Sequence, residues 1–312
     1  MKQMNWTKLG LLLFFIVSLP GCGAGEANKN DGRGTAVKPA QQANGGSISQ
    51  LSAGQQAKVS QSIMKIRGNP LTQDFAVTVS YPYVIAGNLS QLELEHWKSR
   101  VQRTQAAVKS MYFKQDPAQV VQIWLFKDAA SYFEYNQSLW NASPGTSFGY
   151  YLPKQKRMMM NIASGGGTLT HELVHPYIEA NFPRSPLWFN EGLASLYEQS
   201  SYKGGKVFGM TNWRLRGLQA VIKADAMPSL EGMMQTNRSQ FLGPNREVYY
   251  AQARYLMFYV QSRGLLERYY REFVAASDSD PTGIKTLLKV TSFGSMQQLE
   301  ATWVRFILAQ RF

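Results

Sequence analysis

The stretch TLTHELVHPYIEANFPRSPLWFNEGLASLYEQ, residues 168–199, holds two of the chain's three histidines, His171 and His175. In an α-helix, side chains four positions apart lie on one face about 6 Å apart, so two imidazoles can converge on one metal ion. Glu172 points to a neighbouring face, from which it can reach a water molecule beside that ion. The H-E-x-x-H order therefore predicts a zinc site with an acidic proton acceptor. An ordinary amphipathic helix can carry the same spacing by chance, so the motif alone leaves both readings open.

A catalytic zinc ion takes three protein ligands and leaves a fourth position for water. Glu179 continues the four-residue spacing but lies about 12 Å from His171 along a straight helix. Bonds to zinc of about 2 Å cannot close that gap, and no histidine follows His175. The two prolines of NFPRSP, residues 181–186, predict a break before a second helix. If that helix folds back, Glu191 is the better candidate for the third ligand.

Pro176 directly follows the second histidine. It removes the amide that would bond the carbonyl of Glu172, and this costs roughly 3 kcal/mol if the helix simply continues. It also biases His175 away from helical backbone angles. We therefore expect a kink or an early helix end after His175, because a bend before this residue would separate the imidazoles and weaken zinc binding.

At this point the stretch resembles the gluzincin metallopeptidases, specifically bacterial peptidase-MA-like members with HExxH, a short break and WxNEGLA. The residues that match this pattern are His171, Glu172, His175, Trp188, Asn190, Glu191, Gly192 and Ala194. The resemblance implies zinc held by His171, His175 and Glu191, with Glu172 as general base or acid. It covers residues 149–198 and, more weakly, the helix around Tyr250.

Two further segments fit the resemblance. GYYLPKQKRMMMN, residues 149–161, resembles the edge strand along which such peptidases bind an extended substrate. An ordinary hairpin with a basic turn is the alternative. REVYYAQARYLMFYV, residues 246–260, resembles a helix whose leading tyrosine hydrogen-bonds the developing oxyanion. The alignment selects Tyr250 over Tyr249 for that role, unless the tyrosine-rich helix simply belongs to the core.

Glu198 lies seven residues after Glu191 and on the same helix face. From there it can orient a metal ligand by a hydrogen bond. A solvated or salt-bridged position at the surface is the expectation that we favour, because most glutamates are exposed.

The rest of the chain predicts an α+β fold. Short β-branched or aromatic runs at 75–80, 83–87, 120–126, 148–152 and 157–162 read as strands, and they alternate with helices at 89–113 and 129–140. Beyond Ile162 the pattern is almost wholly helical. We therefore expect a zincin-like catalytic lobe with a mixed sheet and the active-site helix over 69–200, followed by a helical lobe over 201–312.

The N-terminus reads as a targeting segment. Two lysines, the apolar run LLLFFIVSL and LPGC describe a secretory signal over residues 1–21. The LPGC sequence resembles the lipobox of bacterial lipoproteins, which implies cleavage before Cys22 and lipid attachment to its sulfur. A plain signal peptide is the alternative. Few large apolar groups follow, so residues 22–68 are expected to form a flexible tether, and the outer membrane, on its periplasmic side, is the preferred location.

The net charge of the chain indicates which kinds of partner it favours. The chain carries 33 Lys and Arg against 20 Asp and Glu, or +13, which favours anionic neighbours such as lipid headgroups or cell-wall polymers. The basic residues are scattered, so a solvated surface is an equal alternative, and no nucleic-acid partner is expected. The sequence thus predicts a lipid-anchored zinc metallopeptidase that acts on peptides or proteins. A zinc amidase of cell-wall peptides and a non-catalytic envelope-binding lipoprotein are the alternatives.

Overall fold

The computed structural model describes residues 48–312, a mixed α/β chain with one large sheet. The helices are α1 (Ala53–Arg67), α2 (Gln91–Met111), α3 (Ala129–Trp140), α4 (Gly167–Asn181), α5 (Leu187–Leu196), α6 (Arg214–Lys223), α7 (Leu230–Met234), α8 (Arg238–Phe241), α9 (Arg246–Ser262), α10 (Leu266–Ala276), α11 (Ile284–Thr291) and α12 (Met296–Ala309). The strands are β1 (Ala76–Ser80), β2 (Tyr83–Gly87), β3 (Val121–Phe126), β4 (Gly149–Leu152), β5 (Arg157–Asn161), β6 (Ser200–Lys203) and β7 (Lys206–Gly209).

The large sheet has five strands in the order β1-β2-β3-β5-β4. Its three central strands, β2, β3 and β5, run parallel, whereas β1 and β4 pair antiparallel at the two edges. Parallel neighbours need long crossovers, and the helices α2 and α3 lie in these connections. The sequence prediction of an α+β fold with a mixed sheet is therefore confirmed, and each predicted strand of this sheet is present.

Side chains of β3 alternate between the two faces of the sheet, as the period of a strand requires. Trp124 and Phe126 pack in a cluster with residues of α1 and α3. Ile123 and Leu125 point into a second cluster, which includes residues of α2 and α4 and continues through α9 to α12. The sheet and the C-terminal helices therefore share one interior, to which α4 contributes buried side chains.

Helix α1 lies inside the segment for which the sequence predicts a tether, residues 22–68, and over this helix that prediction is wrong. A capping box between Ser52 and Gln55 starts the helix. Val59 and Ile66 are each 1% exposed in the cluster on the α1 face of the sheet. Their seven-residue spacing places them on one helix face, and burial there offsets the polar composition of the rest of the segment.

Two other differences concern the part after Ile162. Strands β6 and β7 form a separate antiparallel hairpin in a region expected to be almost wholly helical. Its turn residues, Gly204 and Gly205, both adopt positive φ, which glycine allows without strain. Pro176 lies inside α4, which continues to Asn181, so the early helix end is not found.

Some sequence predictions concern residues before 48. The signal segment at 1–21, the lipidation site Cys22 and the first part of the tether lie outside the described residues. Among the helices of residues 48–312, none is long and apolar enough to cross a membrane.

Candidate metal centre

Helix α4 presents the two histidines on one face, as their spacing predicts. The ring centroids of His171 and His175 lie 4.9 Å apart, with the ring planes inclined at 72°. Their side chains are only 10% and 12% exposed. Residues 171–175 are thus helical in spite of Pro176, and the two imidazoles converge.

Glu191 of α5 lies opposite this pair. Its Oε2 atom is 3.4 Å from Nε2 of His171 and 3.9 Å from Nε2 of His175. One possible ligand atom from each of the three residues lies within 4.8 Å of the others, and among the described residues this is the group that could hold a metal ion. Two imidazole nitrogens and one carboxylate oxygen are a donor set that catalytic zinc sites use. The structure therefore brings together the three ligands that the sequence suggested.

Helix α5 folds back because its first turn is anchored in the core. Trp188 and Phe189 are almost fully buried, and Trp188 Nε1 donates a hydrogen bond to the carbonyl of Thr282 at 3.1 Å. Phe189 packs edge-on against Phe273, with ring centroids 5.4 Å apart. The loop between α4 and α5 carries both prolines of NFPRSP, so the chain reverses where the sequence predicted a break.

Gly192 sets how closely α5 approaches α9. A Cβ atom at this position would lie 2.9 Å from the carbonyl oxygen of Ala253, closer than an unstrained contact allows. Ala253 is three residues after Tyr250, so one helical turn separates this close approach from the hydroxyl-bearing side chain. The glycine thus brings α9 and its tyrosine towards the candidate ligands.

Hydrogen bonding fixes the ring of His175. Its Nδ1 atom lies 2.6 Å from Oδ1 of Asn190, the residue before Glu191. An amide oxygen only accepts hydrogen bonds, so Nδ1 carries the proton. A neutral imidazole then has its lone pair on Nε2, the atom that faces Glu191. This arrangement prepares His175 to bind a metal through Nε2.

A carboxylate occupies the equivalent position behind His171. The Nδ1 atom of His171 lies 3.4 Å from Oε1 of Glu198 and 3.4 Å from Oγ of Ser195. The Glu198 side chain is only 8% exposed. The sequence-based preference for a surface role is therefore wrong, and the alternative of a residue that orients a ligand agrees with this position. Asn212 and Arg214, which follow the β6–β7 hairpin, contact the Glu198 carboxylate and contribute to its burial.

Three carboxylates give the site a strongly negative field. Burial disfavours a charged His171, but its hydrogen bonds with Glu191 and Glu198 outweigh burial and raise its pKa to about 10. Burial likewise opposes ionisation of the glutamates. For Glu191, the neighbouring histidines outweigh burial and lower the pKa to about 2. For Glu198, His171 and Arg214 together outweigh burial, and the pKa also falls to about 2. The site thus stabilises positive charge, which a metal cation also carries.

Glu172 lies beside the second histidine. Its Oε2 atom is 3.6 Å from Nε2 of His175, and its side chain is 12% exposed. Burial raises the pKa of Glu172, although the attraction of His171 and His175 opposes the change. A carboxyl group with a raised pKa next to a candidate metal site is suited to accept and return a proton.

Of the two adjacent tyrosines, Tyr250 lies in the site. Burial raises its pKa, and the charge and hydrogen bond of Glu191 raise it further, so the hydroxyl keeps its proton and can donate. Both rings also pack on Phe241, that of Tyr249 stacked with centroids 5.8 Å apart and that of Tyr250 tilted with centroids 5.3 Å apart. The choice of Tyr250 over Tyr249 agrees with these positions, while a catalytic role for it stays a prediction.

The basic turn after β4 contacts the C-terminal half of α4 through Lys156. Strand β4 is an edge strand of the sheet and packs on α4. Glu179, further along α4, accepts hydrogen bonds from Lys156 Nζ at 2.6 Å and from the Tyr151 hydroxyl at 3.3 Å. Glu179 is therefore engaged away from the histidines, as its distance along the helix predicts.

Similarity to known proteins provides no family for this chain. Comparison with protein-family models finds no match, and comparison with curated proteins finds none either. The function proposed below therefore depends on the motif and on the geometry of the candidate metal centre.

Proposed function

We propose that this protein is a zinc-dependent metallopeptidase of the gluzincin type with a zincin-like fold. Zinc would be held by His171, His175 and Glu191. The observation that carries the proposal is the convergence of these three side chains, with ligand atoms within 4.8 Å of one another. Both Nδ1 atoms have oxygen partners on the far side, so each ring turns its Nε2 atom towards Glu191.

Bound zinc supplies Lewis-acid polarisation of the reacting groups. The protein's own contribution begins with Glu172, whose carboxylate accepts a proton from the attacking water as the new C–O bond forms. When the peptide C–N bond breaks, Glu172 returns that proton to the amine nitrogen that leaves. Its partial burial raises its affinity for the proton, so it can act in both directions.

Tyr250 and β4 have supporting roles in this proposal. A protonated tyrosine hydroxyl beside Glu191 is suited to donate a hydrogen bond to the oxygen on which negative charge develops. Within residues 48–312, β4 is an edge strand of the sheet, and its backbone groups would bind an extended peptide as a further strand. Peptides and unfolded protein segments are therefore the substrate class that we propose.

For the location, we propose a lipid anchor at Cys22 and a position in the bacterial cell envelope, with the outer membrane preferred. The LPGC sequence supports the anchor, and the net charge of +13 suits an anionic surface. Lipid attachment is measured directly by the mass of the N-terminal peptide from the purified protein. An unmodified Cys22 thiol would contradict the anchor and leave the peptidase proposal in place.

The function itself is tested with a proteome-derived peptide library, cell-wall fragments and a Glu172→Gln variant. Glutamine keeps the size of the side chain but cannot accept the proton. We expect wild type to cleave a set of peptides and Glu172→Gln to leave them intact while it retains zinc. Cleavage only of cell-wall fragments would favour the amidase alternative. Equal products from both proteins would contradict catalysis at this site.

A further inference from the structure

Arg214, the first residue of α6, reaches the carboxylate behind His171. Its Nε atom donates to Oε2 of Glu198 at 3.3 Å, and its Nη2 atom donates to Oε1 at 3.2 Å. Asn212 Nδ2 donates to the same Oε2 at 3.0 Å. Both oxygens of Glu198 are thus held from the side opposite to His171.

The oxygen that Arg214 Nη2 contacts is also the one beside the metal centre. Oε1 of Glu198 lies 3.4 Å from Nδ1 of His171. A continuous chain of contacts therefore runs from the guanidinium through the carboxylate to a candidate zinc ligand. Rotation of Glu198 about its last side-chain bonds would break this chain, and the two-pronged contact with arginine prevents that rotation.

The guanidinium is itself confined. Its Cζ atom lies 5.4 Å from the ring centroid of Tyr250 and 5.7 Å from that of Trp213. Its Nη1 atom donates to Oε2 of Glu247 at 3.3 Å. The Arg214 side chain is 18% exposed, whereas that of Glu247 is 73% exposed. These contacts restrict the guanidinium while its Nε and Nη2 atoms donate to Glu198.

Charge makes this contact necessary. Glu198 is a buried carboxylate, and its negative charge and that of nearby Glu172 repel each other. Arg214 is the cation in contact with it, at 3.2 Å, and a buried ion that loses its partner is strongly disfavoured. Lysine would keep the charge but lacks the planar fork that binds both carboxylate oxygens.

We propose that Arg214 is a positioning residue for the metal centre, which holds Glu198 so that His171 presents Nε2 to zinc. The inference rests on the proposed zinc site, and it assigns a role to a residue outside the HExxH and WxNEGLA motifs. Outer contacts of this kind change metal affinity by about 10- to 100-fold when they are removed.

The test measures the zinc dissociation constant by competition with a chromophoric chelator, for wild type, Arg214→Met, Arg214→Lys and a control. Lys109→Met is the control, because it removes another partly buried ion pair, with Asp116 at 2.7 Å. We expect zinc affinity to fall about 10- to 100-fold in Arg214→Met, with a smaller loss in Arg214→Lys. The control should stay within about twofold of wild type, because its ion pair does not contact the metal centre. Far-ultraviolet circular dichroism checks the fold of each variant.

A Glu198→Gln protein serves as a second background, in which a positioning role of Arg214 is distinguished from a general effect on stability. If Arg214 acts through Glu198, then Arg214→Met should weaken zinc binding by no more than about threefold in a Glu198→Gln protein. Full additivity of the two substitutions would overturn the inference, as would a wild-type zinc constant in Arg214→Met. Should Arg214→Met fail to fold, the comparison of Arg214→Lys with the control decides the question in the same way.

The outcomes also separate this inference from the proposed function. Wild-type protein that binds zinc but cleaves no peptide would contradict the peptidase, and the affinity comparison would still decide the role of Arg214. Zinc binding that is equal in all variants would overturn the positioning role alone. A wild-type chain that binds no zinc would overturn both.

Discussion

Nδ1 of His175 and Oδ1 of Asn190 lie 2.6 Å apart, and this contact joins α4 to α5 directly beside the three candidate ligands. Because Asn190 precedes Glu191, the same turn of α5 supplies one candidate ligand and the group that orients another. The hydrogen bond thus connects the two halves of the motif, which are separated in sequence by the proline-containing loop.

Asn190→Leu tests the importance of this contact. The apolar side chain has a similar size but cannot accept the hydrogen bond from Nδ1, so the ring of His175 loses its fixed tautomer. We expect zinc affinity to fall about 10- to 100-fold, measured by chelator competition. Asn190→Asp, which keeps an acceptor oxygen, is the matched control and should retain most of the affinity. An unchanged constant in the leucine variant would contradict this role.

Gly192→Ala tests the close approach of α5 and α9. A methyl group here would lie 2.9 Å from the carbonyl oxygen of Ala253, so the helices must move apart. We expect the free energy of unfolding to fall by about 1–3 kcal/mol, as measured in urea. Gly217→Ala is the control, because no atom lies within 4 Å of its added methyl group. In that exposed helix alanine should stabilise by up to about 1 kcal/mol.

Tyr250→Phe tests the proposed donor to the oxyanion. The variant keeps the ring but loses the hydroxyl beside Glu191, so we expect kcat to fall about 10²- to 10³-fold while zinc content is unchanged. Tyr249→Phe removes a hydroxyl from the ring that stacks on Phe241 and should keep kcat close to wild type. A similar loss in both variants would show that the helix acts through packing alone.

Ile66→Ala tests whether α1 belongs to the folded unit. Its side chain is 1% exposed beneath the sheet, so truncation should reduce the free energy of unfolding by about 2–5 kcal/mol. Met64→Ala, at a position that is 65% exposed on the same helix, should change it by no more than about 0.5 kcal/mol. Thermal or urea unfolding measures both, and equal small effects would mean that α1 contributes little to stability.

Local patterns were sufficient for much of the fold and for the centre of the site. The strand and helix periods predicted the five strands of the sheet. The HExxH spacing and the break at NFPRSP indicated His171, His175 and Glu191 as candidate ligands. The hairpin β6–β7 was missed, although the adjacent Gly204 and Gly205 are a turn signal that strand pairing favours. Helix α1 was missed because its two buried side chains stand in an otherwise polar segment.

The outer part of the site could not be predicted in the same way. Glu198 is buried because of Asn212 and Arg214, which follow the β6–β7 hairpin and reach it only through tertiary packing. A glutamate in a sequence carries no sign of such partners, and exposure is its usual state. Pro176 is a second example. Local rules favour a helix end or a kink at this proline, but α4 continues through it to Asn181.

If His171, His175 and Glu191 together hold one zinc ion, the zinc content per chain depends on each of these three side chains. We expect mass-spectrometric metal analysis of purified wild type to find close to one zinc per chain. His175→Ala and Glu191→Ala should each lose most of it, whereas Glu179→Ala, on the same helix as His175 but engaged with Lys156, should retain it. A folded wild-type protein that takes up no zinc, or ligand variants that keep it fully, would contradict a zinc site at these residues.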